Sequence, residues 1–166
     1  MALDLFTEQT SNHADNMNPI INQVNENTSA IGQLQNNKQD NIGYEQGVFT
    51  PTLDGNCTYN TQGGAYTRIG NIVYVDIKLQ LASLDSSLSA TDISIRGLPF
   101  NAVASSSLVV GYVQGMVLPA GSIGVEALTS GTSIPLYAPT TSGPTRLKGS
   151  ALSNTSDIRL SGVYRI

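Results

Sequence analysis

The stretch Ile72-Val73-Tyr74-Val75-Asp76-Ile77-Lys78-Leu79-Gln80-Leu81 decides the fold. Val73, Val75, Ile77, Leu79 and Leu81 recur at every second position, with Ile72, Tyr74, Asp76, Lys78 and Gln80 between them. Successive side chains of a strand point to opposite faces, so this period of two describes a β-strand with one face against a core. Just upstream, Gly70-Asn71 suits a two-residue hairpin turn, and residues 65–69 supply the partner strand. Further strand-like stretches lie at 48–53, 92–96, 107–117, 122–128, 133–137 and 157–166, separated by turns rich in Gly, Pro and Ser. In the last of these, Ile158, Leu160, Tyr164 and Ile166 share a face opposite Asp157, Arg159, Ser161 and Arg165. Because that strand runs to the final residue, trimming it is expected to damage folding. Seven to nine short strands of this kind predict an antiparallel β-sandwich or jelly-roll-like domain over residues 43–166.

Upstream of residue 43 the composition changes. Nine asparagines but only one glycine, Gly32, fall in residues 1–41, whereas all seven tyrosines lie at Tyr44 or beyond. Sequence poor in Gly and Pro sustains a helix. Ala14, Met17, Ile21, Val24, Thr28, Ile31 and Gln35 are spaced alternately by three and four, the seam of a coiled coil. Ile20 and Leu34 widen the apolar stripe, which favours three helices over two. Asn18-Pro19 reads as an N-cap followed by proline at the first helical position, and Asn36-Asn37-Lys38 as the frayed end. A helix of about 20 residues is marginal alone in water, so it forms only where something covers its seam. The fold class expected is therefore mainly β, with an N-terminal helix in a trimeric coiled coil over residues 1–42. Ahead of the seam, Leu3, Leu5 and Phe6 form a small apolar cluster suited to docking on another protein.

Composition also excludes functions. Eight Lys and Arg against twelve Asp and Glu leave a net charge of −4, so no basic patch answers a phosphate backbone and no nucleic-acid partner is expected. The single cysteine, Cys57, rules out an intrachain disulfide framework and a cysteine-based zinc cluster, and the single histidine, His13, removes the usual histidine-centred sites. No apolar run approaches ~18 residues, so membrane insertion is not expected. Nor does the opening, MALDLFTEQT, have the basic-then-apolar order of a signal peptide. Neither a metal, a cofactor nor a catalytic residue is expected, and the chain reads as a binding or building protein and not as an enzyme.

Three motifs in order carry a family resemblance: Gly47-Val48-Phe49-Thr50-Pro51-Thr52-Leu53, then Gly64-Ala65-Tyr66-Thr67-Arg68-Ile69-Gly70-Asn71-Ile72-Val73-Tyr74-Val75, then Ile95-Arg96-Gly97-Leu98-Pro99-Phe100. At these spacings, residues 45–100 resemble the opening of a β domain common in fibre and appendage proteins of tailed bacteriophages. The resemblance implies a homotrimeric fibre on the virion surface. Residues 1–42 would then anchor it to another virion structural protein and residues 43–166 would face the host. The short stalk, about 30 Å of helix, suits a stubby tail or head fibre.

Within that reading, the tip binds a host-surface receptor, a glycan or a protein, through avidity. Two polar, turn-rich stretches, residues 55–64 and 138–149, offer Tyr59, Thr140, Thr141 and Arg146 as a ring face, hydroxyls and a guanidinium. Two alternatives remain open: a structural whisker that decorates the capsid or neck, and a tailspike-like glycan hydrolase. The hydrolase needs two carboxylates flanking the scissile bond. Asp54, Asp76, Asp85, Asp92, Glu126 and Asp157 are available, but Asp76, Asp92 and Asp157 read as solvated surface charges.

Overall fold

The computed structural model describes the backbone from Ala2 to Ile166 and the side chains of residues 17–37 and 43–166. The chain divides into two compact units, Met1–Gly43 and Tyr44–Ile166.

The first unit is one helix, α1, Ala2–Ile42. It extends past both expected ends, and Pro19 lies inside it instead of starting it. Proline removes one backbone hydrogen bond, but no glycine stops the chain until Gly43, whose φ of 60° ends the helix in the left-handed conformation that glycine adopts freely. Met17, Ile20, Ile21, Val24, Ile31 and Leu34 are all exposed. Thr28 and Gln35 are exposed too, and the Thr28 hydroxyl donates to the Val24 carbonyl one turn back at 2.8 Å. The expected seam is thus an uncovered stripe among the described side chains. Ala14, Leu3, Leu5 and Phe6 lie outside the described side chains.

The second unit contains ten strands: β1 Tyr44–Phe49, β2 Thr52–Leu53, β3 Thr58–Ile69, β4 Ile72–Ser83, β5 Ser94–Arg96, β6 Ser107–Gln114, β7 Glu126–Leu128, β8 Ser133–Thr140, β9 Gly143–Arg146 and β10 Asp157–Arg165. They pair along one path, β1-β3-β4-β10-β6-β7-β8-β5-β2, with β9 added on β8. Each pairing is antiparallel. One curled sheet therefore takes the place of the two stacked sheets that the strand pattern suggested. Its short middle strand, β7, has two paired positions on each side, which lets the sheet turn over while the ladder continues.

The curl encloses the face read from the alternation. Val73, Val75, Ile77, Leu79 and Leu81 are at most 1% exposed and share one core with Ile93, Ile95, Ile134, Leu136, Ile158, Leu160 and Tyr164. Ile69 pairs with Ile72 across Gly70-Asn71, and Gly70 has φ 60°, as the first loop residue of a type II′ hairpin turn requires.

Two expected strands were drawn wrongly. Residues 48–53 split at Thr50-Pro51 into β1 and β2, which sit at opposite ends of the path. Pro51 has no N–H for a ladder, so the chain leaves one edge there and joins the other. Of residues 122–128 only Glu126–Leu128 pairs as a strand.

The family motif acquires a physical meaning in the β1–β3 pair. Gly47 stands opposite Tyr66 and Phe49 opposite Gly64. A Cβ on Gly47 would lie 2.6 Å from the Tyr66 ring, and one on Gly64 would lie 2.5 Å from the Phe49 ring. Each ring therefore lies over the glycine of the facing strand, and the two glycines are required by packing, not by turns. Tyr66 in turn meets Phe100 edge-on, with centroids 5.2 Å apart, tying the first two motifs to the third.

Candidate functional site

The β8–β9 hairpin assembles the site. Along β8, Ile134, Leu136 and Ala138 point into the core, which turns Tyr137 outward. Arg146 is paired with Tyr137 in the ladder, and its guanidinium lies 5.1 Å from the Tyr137 ring centroid. Its Nη2 donates to the Ile93 carbonyl at 3.2 Å and to Ser94 Oγ at 3.0 Å. The next residue, Leu147, is buried and bridges β8 to Ile93 through backbone hydrogen bonds. Lys148 then emerges beside Arg146. Its Nζ donates to the Ala90 carbonyl at 3.0 Å and pairs with Asp92 Oδ1 at 3.4 Å, while Arg146 Nε reaches Asp92 Oδ2 at 3.8 Å.

Two cations thus share one carboxylate, which leaves the cluster one positive charge in excess. Arg146 and Lys148, with Thr145 and Ser150, form the polar side of a cleft of about 450 Å³. Val117, Leu118, Pro119 and Ala151 form its apolar side. Gly149 holds the turn close, because a side chain there would overlap the Leu88 carbonyl. Tyr137 also lines a second hollow of about 330 Å³ with Ser105, Thr129 and Ser130. Apolar walls beside charged and hydroxyl donors suit a sugar ring, which presents C–H faces and hydroxyl edges together, and the spare charge suits a sugar carboxylate.

Of the residues expected to bind a receptor, the structure places only Arg146 in this cleft. Tyr59 belongs to β3, not to a loop: it packs on the core, and its hydroxyl accepts from the Leu53 amide at 2.7 Å. Burial pushes its pKa up. Thr140 is consumed by its own hairpin turn, donating to the Gly143 carbonyl at 2.7 Å and accepting from the Ser142 amide at 3.3 Å. Thr141 is exposed at the tip and lines neither hollow. Lys148 is absent from the expected set, although Arg146-Leu147-Lys148 has the spacing that puts two cations on one face around a buried Leu, and Asp92, expected as a solvated charge, pairs with both.

Several carboxylates are structural. Asp54 accepts the Ser94 amide at 2.8 Å and Arg96 Nε at 2.6 Å. Asp85 accepts the Asn56 and Ser87 amides at 2.8 and 2.9 Å, which hold its pKa below the usual value. Asp157 corrects the reading of a solvated charge: it is 3% exposed and takes Arg159 Nη2 and Nε at 2.9 and 3.2 Å. That pairing outweighs burial and lowers its pKa. A carboxylate depressed in the folded state contributes stability above its unfolded pKa of about 4 and loses it as pH falls through the folded value. Denaturation at stepped pH should therefore show wild-type stability falling below about pH 4 more steeply than in Asp157→Asn. Equal slopes would contradict this role. Among the described residues, no group of three or more His, Cys, Asp or Glu is placed to hold a metal ion. Among them also, no helix is long and apolar enough to cross a membrane.

No family model matches the chain. A curated relative, a depolymerase specific for capsule KN4 from Klebsiella phage K64-1, is 38% identical over 111 residues, 65% of this chain and 14% of the relative. Because 65% of the chain is about 108 residues and the first unit has 43, at least about 65 of the aligned residues lie in the β unit. A crystal structure of the Dettilon tailspike protein matches with a TM-score of 0.62 at 21% identity, covering 74% of this chain and 24% of that one, which supports the curled β fold. The chain thus spans a minor part of the length of either protein. The expectation that the chain is not an enzyme is corrected by this likeness to a depolymerase: a composition poor in catalytic side chains did not exclude kinship with one. At this coarse level the chain is similar to the fibre and appendage proteins of tailed phages, which are components of the virion surface.

Proposed function

We propose that the chain acts as a homotrimeric, tail-associated module that engages host capsular polysaccharide as part of a capsule-depolymerising appendage. The observation that carries this reading is the 38% identity to a capsule depolymerase, which reaches well into the β unit that holds the Arg146–Lys148 cleft. In this reading residues 1–42 are stalk and anchor and residues 43–166 are the tip. Ala14, Met17, Ile21, Val24, Thr28, Ile31 and Gln35 line the seam of three helices, and Leu3, Leu5 and Phe6 dock on another virion protein.

The physics of the cleft favours weak single sites used together. Arg146 is pre-positioned by Tyr137, Ile93 and Ser94, so little side-chain freedom is lost when it meets a sugar hydroxyl or carboxylate. Three copies on one stalk make the second and third contacts intramolecular, which raises avidity by about 10²–10⁴-fold.

The test is incubation of the purified chain with capsular polysaccharide from encapsulated host strains, reading both retention on immobilised polymer and the length of the soluble polymer. Retention on one capsule type, with or without shortening, is the expected result. Neither retention nor shortening on any capsule of the host range would overturn the proposal.

A further inference from the structure

The outer face of β1, β3, β4 and β10 carries a cluster of exposed apolar side chains at one end, with Gln46 and Thr67 among them. Tyr44 is in register with Ile69, Ile69 with Ile72, and Tyr74 with Val163. Tyr44, Ile69, Ile72, Tyr74 and Val163 are 45–54% exposed, and Val48, farther along β1, is 84% exposed. Contiguous apolar surface spread over four strands marks an interface, unlike apolar residues scattered singly. Charge enters only at its borders, with Arg165 beside Ile72 and Asp76, Lys78 and Arg159 farther along the strands.

We infer that this face is covered by a second copy of the same chain, packed around the threefold axis. The inference rests on the trimeric reading above and adds where the β units meet. Two observations select the occupant. Only Gly43 separates the end of α1 from Tyr44, so three helices gathered along one seam hold three copies of β1 within a few residues' reach of one another. The seam, residues 14–35, is short and rich in Asn, so an added interface between β units would strengthen the assembly.

Hydroxyl-radical footprinting of the unmodified full chain, alongside its sedimentation mass, tests this. Relative to the denatured chain, Ile72, Tyr74 and Val163 should be protected at least about 5-fold more than Val117 and Ile123, which are 78% and 82% exposed and bond to Ala151 and Pro139 away from these strands. Tyr74→Glu/Val163→Glu, with circular dichroism retained, should weaken association by about 10²-fold or more, since two charges per chain would be buried without partners. A trimeric mass with Ile72, Tyr74 and Val163 as reactive as Val117 overturns the inference while leaving the trimer intact. A single-copy mass overturns both.

Discussion

Tyr164→Ala should cost the β unit about 3–5 kcal/mol, the range for truncating a large aromatic side chain in a packed core. Tyr164 is 1% exposed near the end of β10, the strand that joins β4 to β6, and its ring lies in the same cluster as Val73 and Leu108. Its hydroxyl donates to the Phe100 carbonyl at 3.2 Å, which ties the last strand to the loop after β5. Burial raises the pKa of that hydroxyl, so it stays protonated and a donor across the neutral range. Tyr164→Phe removes only the hydrogen bond and should cost about 1 kcal/mol. Urea denaturation of the two variants separates packing from polarity. A loss below about 1 kcal/mol for Tyr164→Ala would mean that β10 does not close the core as described.

The second large effect is on polysaccharide retention. Arg146→Gln/Lys148→Gln leaves Asp92 without either cation and removes the positive side of the cleft. Each hydrogen bond from a charged group contributes about 1.5–3 kcal/mol, so a single site should weaken by roughly tenfold or more. In a trimer the loss compounds, and retention should fall by on the order of 10²-fold or more. Arg146 also braces Ile93 and Ser94, so thermal unfolding must accompany the binding measurement. Arg96→Gln is the control, because Arg96 pairs with Asp54 and lines neither hollow. Unchanged retention in a folded double variant would remove this cleft from the account.

Legibility in the sequence followed from how local each signal is. The buried face of β4 could be read directly, because alternation within one strand is a property of neighbouring residues. So could the hairpin at Gly70-Asn71 and the buried row Ile158, Leu160 and Tyr164. Tyr59 was misassigned because Gly63-Gly64 reads as a loop, whereas Gly64 is a strand residue that accommodates Phe49. That requirement becomes visible only once β1 and β3 are in register. Asp157 looked solvated for the same kind of reason: its parity is outward, yet it is buried at the strand start and held by Arg159. The cleft was half legible. Arg146 stood out in a polar stretch, but Asp92 lies 54 positions earlier and meets it only through the curl of the sheet. The end of α1 was misplaced because its stop signal is Gly43 and not the run of asparagines.

Sedimentation equilibrium of the full chain beside its Ile21→Asp/Val24→Asp variant tests most directly whether three copies work as one. The account predicts three times 17.5 kDa for the wild type, shifting toward 17.5 kDa at low micromolar concentration when six carboxylates crowd the seam. A wild-type mass of one copy, or a trimer that ignores the substitutions, would contradict it.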